Sequence, residues 1–133
     1  MWTLRLLLLM FPILLAGCAS GQKQLPQLPS GVKAEIQCRP QFGGEYPRIA
    51  ITGDSVYVAT AMGQAVLPVR RERPTGLNTN YSWLNSPDNQ SDLSISADGT
   101  AILTDRDPTL VDPRLVLIDT MRATAKALTC RRV

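Results

Sequence analysis

Cysteines 18, 38 and 130 are the residues with the most chemistry to offer in this chain, because histidine is absent. Without histidine the commonest general base and metal ligand are missing, and so are the Ser-His-Asp and Cys-His arrangements. Two carboxylates alone can run glycoside hydrolysis when held at a suitable separation. Here, however, the acids sit beside turn residues, as in Asp98-Gly99, Asp107-Pro108 and Asp112-Pro113, where turn chemistry accounts for them. Asp105, Asp107 and Asp112 crowd one oxygen-rich loop, but it lacks the glycine and terminal glutamate of an EF-hand calcium site. Neither a phosphate-binding loop nor a dinucleotide fingerprint is present; Gly43-Gly44 and Thr75-Gly76 are isolated turn glycines. The expectation is a non-catalytic protein with no metal and no cofactor.

The first cysteine has the most specific context. The chain opens Met1-Trp2-Thr3-Leu4-Arg5, runs apolar from Leu6 to Leu15 with one break at Pro12, and reaches Leu15-Ala16-Gly17-Cys18. A basic start, an apolar run of about ten residues and small residues before a cut describe a secretory signal. The run falls short of the roughly 20 apolar residues that span a hydrocarbon core. Leu15-Ala16-Gly17-Cys18 resembles the lipobox of bacterial lipoproteins. That resemblance implies that residues 1–17 are a signal peptide, that Cys18 receives a diacylglycerol, and that the freed amino group takes a fatty acyl chain such as palmitate. Several chains on one residue give stable anchoring where a single chain does not. Ala19 after the cysteine, in place of Asp, implies the outer membrane, with the domain in the periplasm. With Cys18 committed to lipid, Cys38 and Cys130 are left as an even pair in an oxidising compartment and are expected to bond. A reactive thiol beside Arg39 is the alternative.

These residues need elements to position them. Residues 18–31 carry two prolines and no apolar periodicity, which predicts a lipidated tether reaching on the order of 40 Å. The remainder, residues 32–133, reads as one small domain. Val32 to Ile36 alternates apolar and polar as a half-buried strand does. Arg48–Thr52 and Ser55–Thr60 flank Gly53-Asp54, a two-residue hairpin turn, and Ala65–Arg71 reads as a strand that Pro68 assigns to an edge. Tyr81–Leu84 is a short candidate. Leu93–Ser96 and Thr100–Thr104 form the clearest hairpin, across Ala97-Asp98-Gly99. Arg114–Asp119 is a continuous apolar run expected as a strand, and Thr124–Cys130 closes the sheet, with a helical start from Thr120 as an alternative. Short strands with turns every 8–12 residues predict an all-β fold, a small antiparallel barrel or sandwich of about 7–8 strands with one disulfide.

Charge and composition narrow the partners. Removal of the signal takes only Arg5 from 14 basic residues set against 11 acidic ones, a near balance that gives no argument for nucleic acid. Seven aromatic residues in the whole chain make no stacking platform for single strands. Between Asn85 and Asp119 lie Asp88, Asp92, Asp98, Asp105, Asp107, Asp112 and Asp119 against Arg106 and Arg114, a solvated face or a docking surface for a basic partner. Ahead of this block, Pro74 to Asn85 follows the basic Arg70-Arg71-Glu72-Arg73 and sets Tyr81 and Trp83 among Asn and Thr, a composition common in binding surfaces. Alternatively, Tyr81 and Trp83, two residues apart, share one buried face of a strand.

A lipobox, a tether and a small β domain with cysteines near its two ends together resemble, in layout, the membrane-bound inhibitors of c-type lysozyme. That family reaches a Ser/Gly-rich loop ending in Tyr into the lysozyme cleft. The resemblance implies that Thr75-Gly76-Leu77-Asn78-Thr79-Asn80-Tyr81 is the loop, with Thr75, Thr79, Tyr81 and Trp83 as partner-binding residues. The family's serine has no counterpart here. Nor does its lysine, since no lysine occurs between Lys33 and Lys126. The leading expectation is therefore a protein-binding or assembly module on the membrane, engaging an unidentified envelope protein, with lysozyme inhibition as the alternative.

Overall fold

The computed structural model describes residues 26–122 and 125–133. The expected signal peptide, Cys18 and the first part of the expected tether lie outside the described residues. The strands are β1 (Ile36–Pro40), β2 (Arg48–Ile51), β3 (Ser55–Thr60), β4 (Gly63–Pro68), β5 (Arg70–Arg71), β6 (Thr79–Ser86), β7 (Asn89–Ile95), β8 (Thr100–Arg106) and β9 (Lys126–Arg132), with one helix, α1 (Pro113–Arg122), between the last two. All pairings are antiparallel, in the order β4-β3-β2-β1-β9-β8-β7-β6-β5. Every neighbour in that order except β1 and β9 is also a neighbour in sequence, so the sheet is an up-and-down meander rolled into a nearly closed barrel.

Two devices close it. On one side β1 lies against β9, with Cys38 directly opposite Cys130 and the two joined by a disulfide. On the other, the run from β4 to β5 changes partner. Pro68 lies opposite Ser55 of β3, the Val69 N–H donates to the Asp54 carbonyl at 3.1 Å, and Arg70 and Arg71 then lie opposite Ser82 and Tyr81 of β6. Pro68, expected at an edge, thus stands where the chain leaves one partner for the next. A missing N–H costs least at such a junction.

Alternation along the strands fills the interior. Ile36 and Cys38, Ile49 and Ile51, Tyr81 and Trp83, Ala101 and Leu103, and Leu128 and Cys130 form one buried cluster with Val56 and Leu93. Each large apolar side chain there contributes about 1.5–3 kcal/mol by leaving water. The Gly99 turn packs directly on this closure. The Cys130 N–H donates to the Gly99 carbonyl at 2.7 Å, and a β-carbon on Gly99 would lie 2.7 Å from the Cys130 oxygen. With φ at +91° as well, only glycine suits the position.

The two rims differ. The upper rim carries the start of β1, the end of β9, the turn at 52–55, the loop at 72–78 and the turn at 96–99. The lower rim carries the loop at 41–47, the turns at 61–62 and 87–88, and the β8–β9 connection with α1. Just inside the lower rim, Asn85 donates to the Ser91 hydroxyl and Ser91 to the Asp105 carboxylate, each at 2.7 Å.

Two expected strands differ from the fold. The first strand begins at Ile36 rather than Val32, because the Val32 N–H turns back to the Pro29 carbonyl and β-pairing starts only where Glu35 meets Ile51. The run Arg114–Asp119 is helical. Asp112 accepts from the Arg114 N–H at 2.9 Å as an N-cap, Pro113 occupies the first helical position, and β8 already pairs with β9, leaving no slot for another strand. The expected tether also meets the barrel early. Pro26 is buried, Gln27 exchanges two hydrogen bonds with Gln64 (2.7 and 2.8 Å), and Leu28 packs against Ala34, Ala50 and Tyr57 on the outer wall.

Reduction of Cys38–Cys130 opens a loop with a sequence separation of 92 residues. On the chain-entropy account this removes roughly 4–5 kcal/mol. Denaturant unfolding with and without reductant should show that loss, and coincident curves would refute it.

Candidate functional site

The loop between β5 and β6 is built as a small hairpin of its own. Thr75 and Asn78 exchange backbone hydrogen bonds at 3.3 and 3.0 Å across Gly76-Leu77. Gly76, at φ +62°, fills the first central position, as a type II′ turn requires. Side chains hold this hairpin in place. The Asn80 amide donates to the Arg73 carbonyl and to the Thr75 hydroxyl, both at 3.0 Å, and the Asn78 amide donates to Ser94 of β7 at 3.2 Å. Leu77 is left at the tip, 86% exposed. An apolar side chain on a fastened turn loses little entropy when a partner covers it.

Below the tip lies an open cleft of about 400 Å³, bounded by Leu77, Thr79, Ile95, Asp98, Gly99 and Arg132. Its two rims are therefore the Leu77 hairpin and the 96–99 turn. The Thr100 hydroxyl (2.7 Å) and backbone N–H (3.0 Å) hold the Asp98 carboxyl below the usual carboxylate range. Thr109 does the same for Asp107 in the β8–β9 connection. Both shifts run opposite to what a proton-donating carboxyl needs. Among the described residues no three Asp, Glu or Cys side chains gather as a metal site.

The four residues expected to bind a partner part company. Thr75 is exposed, with its hydroxyl accepting from Asn80, and Thr79 lines the cleft. Tyr81 and Trp83 are buried in the barrel, 2% and 3% exposed. The Tyr81 hydroxyl accepts from Arg71 Nη2 at 3.3 Å, the guanidinium lies 5.5 Å from the Tyr81 ring centroid, and Arg71 also reaches Glu35 at 3.8 Å. Tyr81 therefore does not project from the loop. Period-two alternation sends both aromatics inward from β6, and Leu77 and Arg71 take the exposed positions instead. The sequence signal for Leu77 was an apolar residue directly after a turn glycine, where burial is unavailable.

Each acid of the 85–119 block serves its own neighbourhood. Asp88 accepts from Ser86, Asp92 pairs with Arg106 at 2.7 Å, and Asp105 accepts from Ser91. Asp98 and Asp107 close turns, Asp112 caps α1, and Asp119 accepts from the Asp107 N–H at 2.7 Å.

The chain matches no protein-family model, no curated protein and no solved structure. Two substitutions separate core from surface. Tyr81→Ala should cost roughly 3–5 kcal/mol as a large core truncation. Leu77→Ser should stay within about 0.5 kcal/mol of the parent. Urea titrations of the two variants decide it, and the assignment fails if Leu77→Ser is the more damaging.

Proposed function

We propose that this protein is a lipid-anchored bacterial envelope protein whose barrel serves as a non-catalytic protein-binding module. Cys18 carries the acyl chains, the outer membrane is the support, and the Leu77 hairpin with its cleft engages a partner in the periplasm. The observation that carries this reading is the hairpin itself: a fastened turn that holds Leu77 in solvent over a polar-edged cleft. An exposed apolar anchor ringed by polar groups is how many interfaces concentrate their affinity. The anchor rests on Leu15-Ala16-Gly17-Cys18 and its preceding apolar run. Among the described residues, no helix is long and apolar enough to cross a membrane.

Inhibition of c-type lysozyme through an inserted Tyr81 draws no support from a tyrosine packed beneath Arg71. Leu77 is the side chain available to enter a cleft, and a lysozyme partner would have to be met through it.

Cys18→Ser should leave uncut precursor without incorporated fatty acid; normal processing and acylation would end the anchoring proposal. A photo-crosslinking residue at position 77 should give a discrete adduct in intact envelopes, while the same probe at Ile102 on the outer wall gives none. Equal labelling at both positions, or none at either, counts against the binding module. Titration calorimetry of the detergent-solubilised chain with a c-type lysozyme tests the named partner, and heat lost on Leu77→Ser would place contact at the hairpin.

A further inference from the structure

The lower rim differs from the upper in a way the binding hairpin does not explain. Phe42 in the β1–β2 loop is 80% exposed, Met62 in the β3–β4 turn 98% and Val111 ahead of α1 91%. Within α1, Leu115, Leu117 and Ile118 are all exposed as well. With Val116, exposed to 41%, they occupy four consecutive positions about 100° apart, so apolar side chains surround the helix, whereas a helix of a globular domain buries one apolar stripe. The upper rim exposes Leu77 and the terminal Val133. Large apolar residues exposed on three separate connections at one end of a barrel mark a surface that is covered in use.

The course of the chain says by what. The described chain begins at Pro26, where Gln27 is fastened to Gln64. Gln64 lies opposite Ala59, one position from the turn that displays Met62. The described chain therefore begins near the lower rim. Seven residues, 19–25, separate Cys18 from Pro26, eight steps along the chain. Extended, they span about 25 Å, less than the reach expected of a free tether over 18–31. A lipid on Cys18 would hold this rim close to the bilayer and turn the Leu77 rim away from it.

We infer that the lower rim is a lipid-docking surface. Phe42, Met62, Val111 and the apolar side chains of α1 enter the interfacial layer of the membrane that holds the anchor. The inference rests on the anchoring proposal and adds an orientation to it. Contact of this kind is apolar and shallow, in the manner of interfacial helices. The acids of the same rim are engaged locally, as Asp107, Asp112 and Asp119 are, and do not depend on lipid headgroups for partners.

The test uses the full chain, processed and acylated in a bacterial host and reconstituted into vesicles of phosphatidylethanolamine with a minor share of phosphatidylglycerol. An environment-sensitive fluorophore is attached through Met62→Cys, Leu117→Cys or Leu77→Cys, without reductant so that Cys38–Cys130 stays closed. Nitroxide-bearing lipids should quench positions 62 and 117 strongly and leave position 77 unquenched. If the chain floats with the vesicles but 62 and 117 are no more quenched than 77, the docking surface is refuted and the anchor stands. If the chain neither floats nor carries acyl mass on Cys18, the anchoring proposal itself has failed, and the orientation with it. Energy transfer between labels at 62 on different molecules, without lipid quenching, would assign the rim to a second copy and overturn the lipid assignment.

Discussion

The pairing of β1 with β9 is the constraint on which the rest of the barrel depends. Every other pair joins strands that are consecutive in the chain, with loop-closure costs that are small and local. The β1–β9 pair instead joins the two ends of the domain, and its closure carries the longest entropic cost in the fold. Three features meet there to offset it: five facing residue pairs from Ile36–Arg132 to Pro40–Leu128, the Cys38–Cys130 bond, and the Gly99 turn bonded to Cys130. Without that seam the meander is an open sheet whose inner face, from Ile49 to Leu103, is left uncovered.

The same closure sets what each rim can do. Because strands run up and down, alternate connections fall on opposite rims, and their compositions divide sharply. The upper connections are mostly polar and cross-braced, as the 72–78 hairpin and the 96–99 turn are. The lower ones range from two-residue turns to the long β8–β9 connection, and they carry Phe42, Met62 and α1. Strand parity enforces a further division between wall and core, and Tyr81 and Trp83 fell to the core on that ground alone.

Local chemistry made much of this legible before any fold was known. Gly53-Asp54 and Ala97-Asp98-Gly99 mark their hairpins because Gly and Asp favour turns, Gly99 by its positive φ as well, and the two domain cysteines mark the closing strands. What stayed hidden depends on tertiary context. An apolar run such as Leu115–Ile118 suits a buried strand or a helix equally well by periodicity, and only the direct pairing of β8 with β9 excludes the strand. The direction of Tyr81 likewise depends on the register of β6 against β7, which no short segment reveals. At the candidate site, the polar loop of residues 72–78 was legible from its composition, whereas the burial of Tyr81 and Trp83 depends on the inward parity of β6.

The strap formed by residues 26–34 has a mechanical meaning. It runs from Gln64 near the lower rim along the outer wall to the upper rim, where the chain enters β1. Tension applied from the N-terminal side first peels Gln27 and Leu28 from the wall, one contact at a time, at low force. Once peeled, the pull reaches Ile36 and is directed along β1, so the hydrogen bonds to β2 and β9 are loaded together in shear and the Cys38–Cys130 bond limits further extension. The nine residues of the strap span about 25–30 Å when extended, and their few wall contacts give way before the β1 ladder is loaded.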